Sequence, residues 1–308
     1  MPPYAYFGKK FIPLAEAQIG LMTHALHYGT GVFEGVRGNW NAEEQELYLF
    51  RLKEHYERML DGCKVLKINL PYSVDDLCRI TVELVGKCGF REDIYVRPVA
   101  YKSSQALGVR LHNLEEDFFV FAFPWGAYLD VDKARCVVSS WRRPKETPQG
   151  KFTGLYISNA LAKTEAVEGG FDEAIMLSPE GYVAEGSGEN IFLVKDGRLV
   201  TPPRHSNILM GITRATVIEL AGKELGIETV ERTIERNELY LADECFLTGT
   251  AASITAVGEI DRRNVANGEV GEVTRKLQRL YSDVILGKNP KYIGWCTPVY
   301  KKARAVKV

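Results

Sequence analysis

The sequence predicts an α+β protein. Strand-like and helix-like segments interleave without a strict βαβ rhythm, which argues against a doubly wound sheet. No G-x-G-x-x-G follows a strand, and there is no P-loop. With 308 residues the chain can bury a substantial core. That length fits about two domains of ~150 residues.

The elements follow in order. The first third mixes short strands and helices. Over Arg51 to Leu66, the residues Leu52, Tyr56, Met59, Leu60 and Cys63 recur at helical spacing and read as an amphipathic helix. Val74 to Lys87 reads the same way. Two strand-like runs follow, Ile94 to Tyr101 and Phe118 to Phe123. Proline and glycine then break the pattern over Phe123 to Tyr128, the candidate domain junction. Strands are expected near Ala134 to Trp141, Glu173 to Leu177, Gly181 to Ala184 and Ile191 to Val194. Helices are expected over Tyr156 to Glu168 and Thr213 to Leu225, the second ending before Gly226. Strands near Glu228 to Ile234 and Glu244 to Thr248, then a helix over Glu272 to Ile285, complete the reading.

Composition narrows the class. Apolar residues make up 45% and charged residues 26%, ordinary for a soluble globular protein. The formal net charge of -1 gives no global field to recruit nucleic acid or an anionic membrane. The basic run Lys301, Lys302, Arg304, Lys307 reads as a solvated tail. The cysteines, at 63, 78, 88, 136, 245 and 296, form no C-x-x-C, so free thiols in a reducing cytoplasm are expected. No signal peptide and no membrane span are expected.

Several chemical signatures are absent, including a G-x-S-x-G elbow. His24 and His27 could face one another on a helix, but no third ligand is near. They read as hydrogen-bonding residues, and no metal is expected. Four segments are glycine-rich and polar where a plain core would not be. They are Thr23 to Arg37, Glu185-Gly-Ser-Gly-Glu-Asn190, Gly211-Ile-Thr-Arg214 and Thr248-Gly-Thr-Ala-Ala252. The last two suggest an anion site. Amide groups at a helix start favour negative charge, and Thr213 and Thr250 add hydroxyl donors. Each alone also fits a cap or a turn, and composition does not name the ligand.

The ordered segments HALHYGTGVFEG, YVRP, FPWGAY, EGSGEN, GITR and TGTAA resemble the branched-chain amino acid aminotransferases, class IV pyridoxal-phosphate enzymes. The resemblance runs from about residue 5 to residue 285. It implies a two-domain fold type IV architecture, like that of D-amino acid aminotransferase. A small α+β domain over 1–122 and a linker over 123–134 are expected to precede a large cofactor-binding domain over 135–308. That larger domain should be barrel-like, with the cofactor between the two domains.

The resemblance also implies roles. Lys151, in a K-x-x-G-x-Y segment, would be the Schiff-base lysine. Tyr156 would bond the phenolic oxygen of pyridoxal 5'-phosphate, and Glu185 would face its ring nitrogen. Arg58, Ile212, Thr213 and Thr250 would hold the phosphate. Tyr95 and Arg97 match the substrate-side pair. As residues two apart on a strand they share one face, and Arg97 would reach a γ-carboxylate. Thr250 and Ala251 would bind the α-carboxylate. Tyr28, Phe33 and Gly35 would line the pocket, part of it across the interface of a homodimer or higher homo-oligomer. Phe152 and Leu107 depart from the family pattern and could broaden substrate choice.

The implied activity moves the amino group of L-leucine, L-isoleucine or L-valine to 2-oxoglutarate, in the cytoplasm. Transamination of D-amino acids or (R)-primary amines, an aminodeoxychorismate lyase and a non-catalytic cofactor carrier are the alternatives.

Overall fold

The computed structural model describes residues 3–126, 129, 131–145 and 150–301. Several residues read from sequence lie outside the described ones: Ala127 and Tyr128 of the junction, Thr147 to Gln149 ahead of Lys151, and Lys302, Arg304 and Lys307 of the tail.

Along the chain the elements are β1 (Tyr4–Phe7), β2 (Lys10–Pro13), α1 (His24–Tyr28), β3 (Gly31–Phe33), β4 (Val36–Asn41) and β5 (Glu46–Phe50). Next come α2 (Leu52–Val65), α3 (Val74–Cys88), β6 (Ile94–Lys102), β7 (Glu116–Pro124) and β8 (Lys133–Arg142). Then follow α4 (Tyr156–Glu168), β9 (Glu173–Leu177), β10 (Val183–Gly186), β11 (Asn190–Lys195), β12 (Arg198–Thr201) and α5 (Ile212–Leu225). The last are β13 (Thr229–Glu231), β14 (Glu244–Gly249), β15 (Ser253–Ile260), β16 (Arg263–Asn264), α6 (Glu272–Ile285) and β17 (Cys296–Pro298).

Two compact units result. The first comprises Met1–Gly126, Gly150–Gly154 and Asp283–Val308. Its sheet runs β17-β5-β4-β6-β7-β1-β2, with β3 also beside β6. Every pairing in it is antiparallel. Of the stripe foreseen for α2, Leu52, Tyr56, Met59 and Cys63 are buried and Leu60 is only partly so. α3 buries Leu77, Ile80, Leu84 and Val85 and begins with a capping box between Ser73 and Asp76.

The second unit comprises Ala127–Gln149 and Leu155–Ser282. Its sheet runs β10-β9-β8-β15-β14-β11-β12-β13, with β16 beside β15. β8 lies parallel to both β9 and β15, so the sheet is mixed. Apolar residues of β8, β9, β11, β14 and β15 form its main core, among them Cys136, Ile175, Ile191, Leu247 and Val257.

The junction expected over 123–134 spans the point where the chain leaves the first unit, after Gly126. Two segments expected with the larger domain group with the first unit instead, Gly150–Gly154 and Asp283–Val308. The strand expected over Gly181 to Ala184 forms two residues later. Gly181 closes a turn, its N–H donating to the Ser178 carbonyl at 3.0 Å.

Among the described residues no helix is long and apolar enough to cross a membrane. None of the six cysteines is in a disulfide.

Candidate active site

In the first unit, β3 and β4 pair with β6 in series, Phe33 opposite Val99 and Val36 opposite Val96. Pro98 has no N–H to give to a ladder, so the pairing lapses there. Glu34 and Gly35 occupy the gap, and the Glu34 N–H donates to the Pro98 carbonyl at 2.9 Å. Gly35 is glycine for a steric reason: a β-carbon there would fall 1.7 Å from the Tyr95 hydroxyl. Arg97 Nη2 makes a long contact, 3.5 Å, to the same hydroxyl. The Arg97 guanidinium lies 4.7 Å from the centre of the Phe33 ring.

The lysine segment docks on these same strands. The Phe33 N–H donates to the Lys151 carbonyl at 3.0 Å, and Lys151 Nζ lies 5.1 Å from the Phe33 ring centre. Val32 and Phe152 form an isolated bridge. The Gly154 N–H donates to the Gly29 carbonyl at 3.2 Å, and a β-carbon on Gly29 would fall 2.5 Å from the Gly154 α-carbon. Phe33 thus has two cationic side chains against one ring, an arrangement its π-face favours. Phe152, one of the two departures from the family pattern, is buried, with its ring near Gly62 of α2.

Arg58 is held by a residue that the sequence reading did not single out. Its Nε donates to Glu34 Oε1 and its Nη2 to Glu34 Oε2, each at 2.7 Å. His55 Nδ1 lies 2.8 Å from Glu34 Oε2. Burial alone would raise the Glu34 pKa. The Arg58 charge and hydrogen bonds from His55 and Arg58 outweigh it and hold the carboxyl well below the usual carboxylate range. Burial keeps His55 below its ordinary value, against the pull of Glu34. A carboxylate only accepts, so Nδ1 of a neutral His55 carries the proton.

Tyr28 is half-exposed, and its hydroxyl accepts the Gly108 N–H at 2.9 Å. Both ring nitrogens of His24 are engaged, by Thr30 Oγ1 and by the Gly108 carbonyl. His27 Nε2 lies 2.8 Å from the Leu21 carbonyl. Among the described residues no group of three or more His, Cys, Asp or Glu could hold a metal ion.

In the second unit the remaining motifs converge on Asn190. Its Nδ2 donates to Glu185 Oε2 at 2.9 Å and to the Leu209 carbonyl at 2.8 Å. The Leu209 N–H donates to Glu185 Oε2 at 2.9 Å. Asn190 opposes Thr248 across β11 and β14. The Asn190 side chain thereby ties EGSGEN to the approach to GITR, and its strand register sets it opposite Thr248, the first residue of TGTAA. Glu185 is buried, and Arg143 Nε lies 2.9 Å from its Oε1. Arg143 is itself buried and donates from Nη1 to Asn159 Oδ1 at 2.8 Å.

α5 starts after Gly211, which offers no side-chain cap, and Thr213 is buried in its first turn. Thr250 and Ala251 lie in the turn between β14 and β15, and Tyr156 opens α4. Glu189 of the same motif is buried. Burial first, then the nearby Glu173, pushes its carboxyl well above the usual range.

The residues of each unit fit a phosphorylated pyridine aldehyde. The first offers an amine, Lys151, and an arginine fork, Arg58. The second offers a buried carboxylate suited to a protonated ring nitrogen, and an uncapped helix start suited to phosphate. Thr248 Oγ1 and Arg97 Nε are buried without a hydrogen-bond partner, the mark of polar groups awaiting a ligand. The sequence reading missed Glu34, His55 and Arg143. Glu34 stood inside HALHYGTGVFEG and His55 three residues before Arg58, while Arg143 stood in no motif.

Comparison with known proteins agrees. Residues 31–260 match the family model for amino-transferase class IV. A probable branched-chain-amino-acid aminotransferase of Aquifex aeolicus is 48% identical over 303 residues, 97% of each chain. The branched-chain-amino-acid aminotransferase of Pseudomonas aeruginosa is 40% identical over 96% of each. Among solved structures, the branched-chain aminotransferase of Thermoproteus uzoniensis with norvaline superposes with a TM-score of 0.93 at 44% identity. It covers 97% of this chain and 100% of that one. The enzyme of Thermobaculum terrenum in its PLP form gives 0.93 at 38% identity, covering 97% of this chain and 99% of that one.

Proposed function

Because this chain belongs to the class IV aminotransferases, and within them to the branched-chain-amino-acid aminotransferases, we propose the following division of labour among its residues. The enzyme uses pyridoxal 5'-phosphate to move the amino group of L-leucine, L-isoleucine or L-valine to 2-oxoglutarate. When bound, the cofactor supplies an electron sink for the pair left when the substrate α-proton departs.

Lys151 Nζ would hold the cofactor between turnovers, and with substrate bound the same amine would take the α-proton and return it. Glu185, ionised against Arg143 and Asn190, keeps a proton on the ring nitrogen. Tyr156 bonds the phenolic oxygen. Arg58, the start of α5 at Ile212 and Thr213, and Thr250 bind the phosphate. Thr250 and Ala251 hold the substrate α-carboxylate. Tyr28, Phe33 and Gly35 line the side-chain pocket. Tyr95 and Arg97 take the γ-carboxylate of glutamate in the second half-reaction. The observation that carries this assignment is the docking of the Lys151 segment on Phe33, beside Arg97 and Tyr95.

We further propose a cytoplasmic homodimer. The thiols are unpaired. Leu21, Met22, Leu26, Leu107 and Val109 are exposed on two segments hydrogen-bonded to each other. Clustered apolar exposure of this kind marks an interface. Sedimentation at micromolar concentration should give twice the chain mass, and a monomer would reject the proposal.

The function is tested by half-reaction. Cofactor-loaded protein is mixed separately with L-leucine, D-alanine and (R)-1-phenylethylamine, and its yellow colour is followed. Bleaching by L-leucine alone is expected. Bleaching by the D-amino acid or the amine, with L-leucine inert, would overturn the substrate assignment. In Lys151→Ala bleaching should vanish.

A further inference from the structure

We propose that Glu34 is a positioning residue for the cofactor phosphate, fixing the plane and reach of the Arg58 guanidinium. This rests on the reading of Arg58 as a phosphate ligand. Glu34 is wholly buried, whereas Arg58 retains some exposure. The two N–H···O bonds of 2.7 Å engage the Nε–Nη2 edge of the fork, which fixes the plane of the group as well as its distance.

Glu34 is in turn anchored on two sides. Its N–H is tied to the Pro98 carbonyl and its Oε2 to His55 Nδ1. His55 and Arg58 lie three residues apart on α2 and so share a helix face. The gap left in the β6 ladder by Pro98 gives the carboxylate its place.

Electrostatics sharpens the assignment. Glu34 balances the charge of Arg58 and His55 is neutral, so the three groups carry no net charge. Attraction by net charge cannot be what this group gives a phosphate; direction can. Removing the carboxylate would have two opposed effects, less repulsion of an anion and a looser guanidinium. The proposal is that the second prevails.

The test uses the whole chain, stripped of cofactor and titrated with pyridoxal 5'-phosphate and, separately, with pyridoxal, which lacks the phosphate. Thermal unfolding without cofactor checks the fold. Glu34→Gln should weaken pyridoxal 5'-phosphate about tenfold, the size of effect that loss of an outer-shell partner has on a held ligand. Pyridoxal binding should be unchanged. Arg58→Gln should lose at least as much, and the double variant should lose no more than Arg58→Gln alone. Where Glu34→Gln does not fold, Glu34→Asp, which keeps the charge but shortens the reach, should show a smaller loss confined to the phosphorylated ligand. Equal weakening of both ligands would reduce Glu34 to a structural role. Unchanged or tighter binding of pyridoxal 5'-phosphate by Glu34→Gln, with Arg58→Gln impaired, would overturn the proposal. An unimpaired Arg58→Gln would instead overturn the reading of Arg58 itself.

Discussion

The Tyr95 hydroxyl occupies the space that any side chain at position 35 would need. Gly35→Ala should therefore displace Tyr95 and lower kcat/KM on the order of a hundredfold, the usual penalty for moving a site group by about 1 Å. Steady-state kinetics with L-leucine checks this. Adding Tyr95→Phe, which removes the colliding atom, should restore part of the lost melting temperature. Arg143 is a second residue whose loss would be felt. Arg143→Met leaves the Glu185 carboxylate buried without its cation, which should cost about 3–5 kcal/mol in a urea titration. Neither Glu34 nor Arg143 was legible as a functional residue in the sequence. A buried ion pair has no periodicity, its partners lie far apart in the chain, and charged residues are exposed by default. Lys151, Glu185 and Arg58 were assigned roles only through the resemblance that the ordered motifs carry.

Helices carry their own boundaries in the sequence. The capping box at Ser73 and the apolar stripes of α2 and α3 are local signals, and the expected ends lie within a residue of the observed ones. Ser73→Ala should cost about 1 kcal/mol in a denaturant titration. α6 is begun by a residue far from it in sequence. The Glu244 carboxylate, on β14, accepts from the Val273 N–H at 3.0 Å, the Thr274 N–H at 2.8 Å and the Thr274 hydroxyl at 2.6 Å. Glu244→Ala should destabilise the second unit by about 1–2 kcal/mol, as loss of a helix cap does. Hydrogen exchange should show the α6 first turn opening more often. Strands were harder to read. β15 alternates apolar residues with Thr255, Gly258 and Glu259 and carries no turn signal at its start that differs from a ligand loop. β3 and β17, three residues each, are too short for period-two alternation to register.

Stability of the whole molecule should be pressed from both ends of the pH scale. Glu34, with its folded pKa depressed, contributes stability present above the unfolded value near 4.5 and lost as pH falls below it. His55 is also depressed. The unfolded chain takes up its proton near 6.5 and the folded one does not, so stability falls as pH drops through that value. Glu189 acts in the opposite sense. Its raised folded pKa contributes stability that is full below about 4.5 and is lost as pH rises. Glu189→Gln should therefore gain on the parent protein steadily between about pH 5 and about pH 8, measured by chemical unfolding at each pH. A parallel pair of curves would show that Glu189 does not titrate differently on folding.

β17 has a consequence in time. It completes the edge of the first unit by pairing Cys296 with Phe50 and Pro298 with Tyr48. The Glu46 carboxylate then gathers the N–H groups of Val299, Tyr300 and Lys301. Val299 follows Glu46 by 253 residues. During synthesis the unit begun first is thus finished last. Its β5 edge stays open on the ribosome while the whole second unit emerges, a span in which bare strand edges invite pairing with neighbouring nascent chains.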